Sequence, residues 1–395
     1  MAGLVSALLA TTGAAVVRVP PCGMHAGKVM TFGGPAPSKT TMMAVPCERV
    51  GTRRKSCLPG KVVWITGASS GLGEQLAISA AAGGAEGLIL SGRREDALER
   101  VKTACEEEIA KLDKGGGGAA ARVRVLPFDV ADFDFVEKEA AARALDMFGR
   151  IDALVLNAGI STRGSIEETS LDVDRRVMAV NYFGPVGLAK GLLLEASRRP
   201  PPQPSLPSTS ATPGTTAEED PAKTSTSTST NTAAGGGGAV TTSGVGTPAD
   251  PSRPRGVLFV VINSVQGKFG MGFRSSYAAS KHALVGFFDC LRAEHASRGL
   301  GVLSVFPGYV RTSLSVNALE ADGTKHAQMD ATTAQGRDPR EVADEIWRAA
   351  AEGKDEIVIA DLKTRVALLL RAFAPRVLFK IMAKRAVKAR PTEEQ

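Results

Sequence analysis

Tyr277 and Lys281 stand four residues apart in Ser276-Tyr277-Ala278-Ala279-Ser280-Lys281, so a helix there puts both on one face. A phenol has an ordinary pKa of about 10, too high for ready proton transfer at neutral pH, and a neighbouring ammonium lowers it by stabilising the phenolate. Such a pair can hand a proton to a carbonyl oxygen while hydride reaches the carbon. Tyr-x-x-x-Lys spacings arise by chance in many helices, so the weight rests on the company this one keeps. Ser264 lies in Ile262-Asn263-Ser264-Val265-Gln266-Gly267, and Asn181 in Val180-Asn181-Tyr182-Phe183-Gly184. Asn157-Ala158-Gly159 and Pro307-Gly308-Tyr309-Val310-Arg311-Thr312 each follow a short apolar run.

A second set of residues suits a nucleotide. In Thr66-Gly67-Ala68-Ser69-Ser70-Gly71-Leu72-Gly73 the glycines permit a tight turn and close approach of backbone to a pyrophosphate, with free N–H donors at the helix start. The spacing departs from the common G-x-G-x-x-G. At the end of the next strand a carboxylate would select the ribose 2′-OH of NAD. Here stand Ser91-Gly92-Arg93-Arg94, whose guanidinium groups suit a 2′-phosphate. The expected cofactor is NADP(H).

These motifs need strands and helices to hold them. Apolar runs at Lys61–Thr66, Gly87–Ser91, Arg122–Phe128, Ile151–Leu156, Val257–Ile262, Gly301–Phe306 and Glu356–Ala360 read as strands. Helical patterns fall between them at 74–82, 95–112, 135–148, 174–197, 276–298 and 339–352. The alternation predicts an α/β fold: a Rossmann-type doubly wound parallel sheet of six to seven strands in a single domain. Ligands of such sheets bind at the carboxyl ends of the strands, where most of these motifs fall.

Of 395 residues, 43% are hydrophobic, enough for one sizeable core. Residues 1–60 hold seven basic side chains against one acidic, and 361–395 hold nine against three. The basicity therefore belongs to the ends, and with only three Tyr and two Trp nothing points to nucleic acid. Five cysteines form no C-x-x-C pair, and no structural metal is expected. Ala2–Val17 is apolar but short for a membrane span, and the basic, acid-poor stretch after it resembles a targeting segment. Residues 1–59 are read as a largely disordered targeting or membrane-anchor extension, a plain disordered extension being the third alternative, with plastid, mitochondrion and endoplasmic-reticulum or peroxisomal membrane as competing addresses. Pro200–Pro254 is Pro, Thr, Ser and Gly with hardly a large apolar residue, which predicts a disordered insertion in the 60–360 domain. A basic amphipathic helix over Leu362–Met382, kinked at Pro375, could lie on an anionic membrane or cover a cleft. Arg274 and Lys268 flank the Ser264–Tyr277 region, where solvated surface charge is the ordinary reading and contact with a substrate phosphate the alternative.

Taken together, Thr66–Gly73, Asn157–Gly159, Asn181, Ser264, Tyr277, Lys281 and Pro307–Thr312 resemble the short-chain dehydrogenase/reductase family in order and spacing. That resemblance implies that Ser264 hydrogen-bonds the substrate carbonyl and that Asn181 holds a water relaying protons toward Lys281. It implies cofactor contacts from Gly67, Ser69, Ser70, Gly71, Leu72, Gly73, Arg93, Arg94, Asp129, Val130, Asn157, Ala158, Gly159, Tyr277, Lys281, Pro307, Val310 and Thr312. Asp129 would meet the adenine, Lys281 the nicotinamide ribose. A narrower likeness, carried by residues 273–282, 287–294, 313–318 and 332–337, is to the member 7B group of animal dehydrogenase/reductases. It implies a lipid-like ketone as substrate, 1-acyl-dihydroxyacetone phosphate or a steroid or retinoid; the wider family likeness implies a homodimer or homotetramer formed through the long helices at 174–197 and 276–298. A plastid 3-oxoacyl or pigment reductase, and a non-catalytic NADP(H)-binding protein, are the alternatives.

Overall fold

The computed structural model describes residues 58–113, 122–199 and 256–389. The insertion at 200–254, the glycine run at 115–118, the extension up to residue 57 and the final six residues lie outside them. Seven strands form the sheet: β1 (Val62–Thr66), β2 (Gly87–Gly92), β3 (Arg122–Pro127), β4 (Ala153–Leu156), β5 (Leu258–Ile262), β6 (Gly301–Pro307) and β7 (Glu356–Ile359). Their order is β3-β2-β1-β4-β5-β6-β7, and every pairing is parallel. The fold is therefore the expected doubly wound sheet, with its order reversing between β1 and β4. That reversal opens a crevice at the carboxyl ends of the strands.

Side chains alternate between the two faces, as strand geometry requires. On one face Val63, Ile65, Leu88, Leu90, Val260 and Val305 pack with Leu76, Leu98, Val342 and Trp347. These come from α1 (Gly71–Ala82), α2 (Glu95–Asp113) and α7 (Pro339–Ala351). On the other, Trp64, Ile89, Leu154, Phe259 and Val302 meet Leu145, Leu188, Leu192 and Phe288. Those belong to α3 (Ala141–Phe148), α5 (Gly184–Arg198) and α6 (Ser275–Glu294). Trp64 also spends its indole N–H on the Ser91 hydroxyl, at 2.9 Å.

Three helices depart from the sequence pattern. The one expected at 174–197 is α4 (Leu171–Met178) and α5 joined by a π-helical turn, Ala179–Phe183. A second such turn, Val136–Ala140, precedes α3. Neither disturbs the apolar spacing enough to be read from sequence. The C-terminal helix is two: α8 (Leu362–Phe373) and α9 (Pro375–Ala389), broken at Ala374 with φ −143° and ψ 59°. A proline bars the residue before it from helical angles, so Pro375 ends one helix and opens the next.

Candidate active site

The residues expected to do chemistry converge on one cleft of about 1640 Å³ at the carboxyl edge of the sheet. Of the residues named for catalysis or cofactor binding, all but Gly73 and Asn181 line it. At one end lies the glycine turn. Gly67 and Gly71 have φ of 64° and 62°, angles that side chains other than glycine seldom adopt. A Cβ on Gly73 would collide with the Gly67 carbonyl, so this glycine serves the packing of α1 on the turn. Ser70 caps α1 from extended backbone without a side-chain hydrogen bond, leaving the first amides of that helix for a ligand. Asn157 holds the turn from the next strand, its amide donating to the carbonyls of Thr66 and Gly67 at 3.1 Å each. The Thr312 side chain stands 3.2 Å from where a Cβ of Gly71 would be. Arg94 donates to Ser69 at 3.5 Å, and Arg93 faces Asp129 at 3.9 Å. This cradle of bare backbone beside two guanidiniums fits a phosphorylated dinucleotide.

At the other end Tyr277 and Lys281 project from α6, each almost wholly buried. The Lys281 ammonium donates to the Ile262 carbonyl at 2.9 Å and lies 5.8 Å from the centre of the Tyr277 ring. Burial lowers its pKa to about 8. Tyr277 differs from the expectation that its lysine would lower it. Burial raises its pKa, and the opposing influences are a hydrogen bond with Ser264 and the charges of Arg274 and Arg163. The physical reason is desolvation: in a dry site both charged forms are disfavoured, and the lysine's own proton becomes labile.

Ser264 accepts from the Gln266 amide at 3.2 Å, while its own N–H donates to Asn263 Oδ1 at 2.8 Å. Asn263 then reaches α6, donating to the Lys281 carbonyl at 3.0 Å. Asn181 does not reach the cleft. Sitting in the π-turn and fully buried, it accepts from Ile160 N at 2.8 Å. Its amide donates to Ile160 O at 2.9 Å and to Ser280 Oγ at 3.0 Å. Gly159 separates it from the lysine: a Cβ there would stand 3.2 Å from Asn181 Oδ1 and 3.8 Å from Lys281 Nζ. Sequence reasoning missed Asn263 and Ser280. The only signal for Asn263 was an amide closing a buried strand beside a serine already singled out.

A family model described as short chain dehydrogenase matches residues 61–199 and 237–323. The chain belongs to the short-chain dehydrogenase/reductase family. As a member of that family it is an oxidoreductase, and its curated relatives cover most of its length. It is 38% identical over 342 residues to the rat dehydrogenase/reductase SDR family member 7B, covering 87% of this chain and 86% of that protein. It is 36% identical over 338 residues to a Drosophila melanogaster dehydrogenase/reductase SDR family protein 7-like, covering 86% and 84%. Among solved structures, a Burkholderia cenocepacia short chain dehydrogenase in complex with NADP aligns with a TM-score of 0.53. It is 20% identical and covers 82% of this chain and 98% of that one. That likeness bears on the fold.

Proposed function

We propose that the chain is an NADP(H)-dependent carbonyl reductase acting on a lipid-like ketone, either 1-acyl-dihydroxyacetone phosphate or a steroid or retinoid. The observation that carries this reading is the meeting of Ser264, Tyr277 and Lys281 at one end of a cleft whose other end is a glycine turn flanked by Arg93 and Arg94. The NADP in the Burkholderia relative's complex agrees with that pair of arginines. A bound reduced nicotinamide supplies the hydride. The chain's own residues handle the proton and the carbonyl. Ser264 and Tyr277 hold the ketone oxygen between two hydroxyls, and the Tyr277 hydroxyl protonates it. Lys281, with a pKa of about 8, is matched to returning that proton near neutral pH. Asn263 and Asn181 fix the backbone that carries these groups.

Lipid-like substrate and membrane surface rest on the C-terminal helix pair. Residues 362–389 carry eight basic and no acidic side chains. Leu362, Val366, Leu369, Phe373, Val377, Phe379, Ile381 and Val387 are exposed among them. Leu370, Leu378 and Met382 line the cleft, as do Leu362, Val366 and Ile381 of the exposed set, which leaves Leu369, Phe373, Val377, Phe379 and Val387 on the outer surface. An outer surface of this kind suits an anionic bilayer. Among the described residues one helical stretch, Leu171–Arg198, is apolar and long enough to cross a membrane, but 61% of its apolar window is buried in the protein, as a core helix would be. We assign residues 60–360 to the cofactor-binding domain, 1–59 to targeting or anchoring, and self-association as a homodimer or homotetramer to the outer faces of the long helices. The deciding experiment follows NADPH oxidation across a ketone panel with wild-type protein and Tyr277→Phe. Turnover lost in the variant with NADPH binding retained supports the assignment, and preserved turnover overturns it.

A further inference from the structure

The substrate end of the cleft holds two arginines that the catalytic set does not use. Arg163 follows the β4 loop and Arg274 opens α6, and a main-chain bond from Gly164 N to Phe273 O, at 3.3 Å, sets their segments side by side. Phe273 has a φ of 64°, an angle a bulky residue seldom adopts, so the approach of Arg274 is imposed by the surrounding fold. Both guanidiniums line the cleft, and their side chains are only 12% and 16% exposed. Both act on the Tyr277 hydroxyl through their charge. Between them stands, among the described residues, a single carboxylate, Asp330, which accepts from Arg163 and, at 3.1 Å, from Arg274. His326 Nε2 lies 3.4 Å from the other Asp330 oxygen. Arg163 also donates to Ser161 Oγ at 2.9 Å and to Thr162 O at 2.6 Å, yet its buried Nε has no hydrogen-bond partner among the described residues. Lys268, for which contact with a substrate phosphate was the alternative to solvated surface charge, is engaged elsewhere: it pairs with Glu356 at 2.9 Å and lies over the Phe306 ring at 4.1 Å.

Two desolvated guanidiniums sharing one carboxylate leave a positive charge beside the reacting centre. Burial and the neighbouring Arg163 charge lower the Arg274 pKa, as expected where a cation lacks a full complement of anions. We propose that Arg163 and Arg274 form a subsite for an anionic group, a phosphate monoester or a carboxylate, borne by the substrate close to its carbonyl. Asp330 is the internal stand-in for that group and competes with it. The inference rests on the reductase reading and narrows its substrate class.

The test compares three ketones of matched chain length, ending near the carbonyl in a phosphate monoester, a carboxylate or a neutral hydroxyl. Arg274→Gln should raise KM for the favoured anionic ketone by roughly tenfold, the size of a lost charge-assisted hydrogen bond, and leave KM for the neutral one unchanged, while loss of a charge acting on Tyr277 changes kcat for all three ketones alike. Asp330→Asn should move the same KM in the opposite direction. A cooperative thermal unfolding transition and retained NADPH binding show that both variants are folded, and the two anionic ketones distinguish phosphate from carboxylate. Equal KM shifts for neutral and anionic ketones, or no KM shift, overturn the subsite and leave the reductase reading standing. No turnover of any ketone by wild-type protein overturns both.

Discussion

The side-chain amide of Asn263 donates to the main-chain carbonyl of Lys281 at 3.0 Å, tying the end of β5 to the helix that carries Tyr277. Its oxygen accepts from the Ser264 amide at 2.8 Å, so one residue orients both hydroxyls of the site. Asn263→Ala should lower stability by about 1–3 kcal/mol, the cost of stranding buried polar groups. It should also reduce kcat more than it raises KM. Thermal unfolding and steady-state kinetics on the same preparation check both.

Lys281 is unusual in that burial lowers its pKa, from 10.5 to about 8. The unfolded chain therefore binds the proton more tightly than the folded one. The resulting destabilisation is fully present below pH 8 and disappears as pH rises toward 10.5. Lys281→Met should abolish turnover yet gain up to about 3 kcal/mol in stability at neutral pH, from the size of the shift. The lost bond to the Ile262 carbonyl subtracts from that gain. Denaturant titrations at neutral and alkaline pH test it, since the advantage must shrink as pH rises.

Arg93 and Arg94 should set the choice of dinucleotide. Replacing both by alanine is expected to weaken NADPH binding by about tenfold or more, through loss of charge-assisted bonds to the 2′-phosphate, while NADH binding changes little. Fluorescence titration with each nucleotide reads the difference directly.

The outer surface of α8 and α9 should carry membrane binding. Leu369→Glu with Phe373→Glu introduces charge at two sites that are 60% and 72% exposed, so folding should survive. Cosedimentation with phosphatidylserine vesicles should fall sharply, and turnover of a water-soluble ketone should stay at the wild-type rate.

Much of this was legible in the sequence because it depends on short-range rules. The strands are apolar runs of the right length, and the glycine turn announces itself by residues that only positive φ requires. What stayed hidden depends on contacts far along the chain. Asn181 and Ser280 are 99 residues apart, and no local pattern says that the asparagine spends its amide on them rather than on the cleft. Arg163 looks like any loop arginine until Asp330, 167 residues away, is folded against it. The sign of the Tyr277 shift was equally out of reach, because helical spacing reveals the neighbour but not the loss of water around both.

A π-helical turn is one residue more than an α-helix of the same length would hold. Asn181 occupies such a turn, Ala179–Phe183, and each residue advances a helix by about 100°. Removing one codon from this stretch would restore a regular helix and swing the asparagine away from Ile160 and Ser280, with α4 and α5 each still able to form. The support behind Lys281 is thus set by the reading length of a five-residue segment as much as by the identity of any side chain in it.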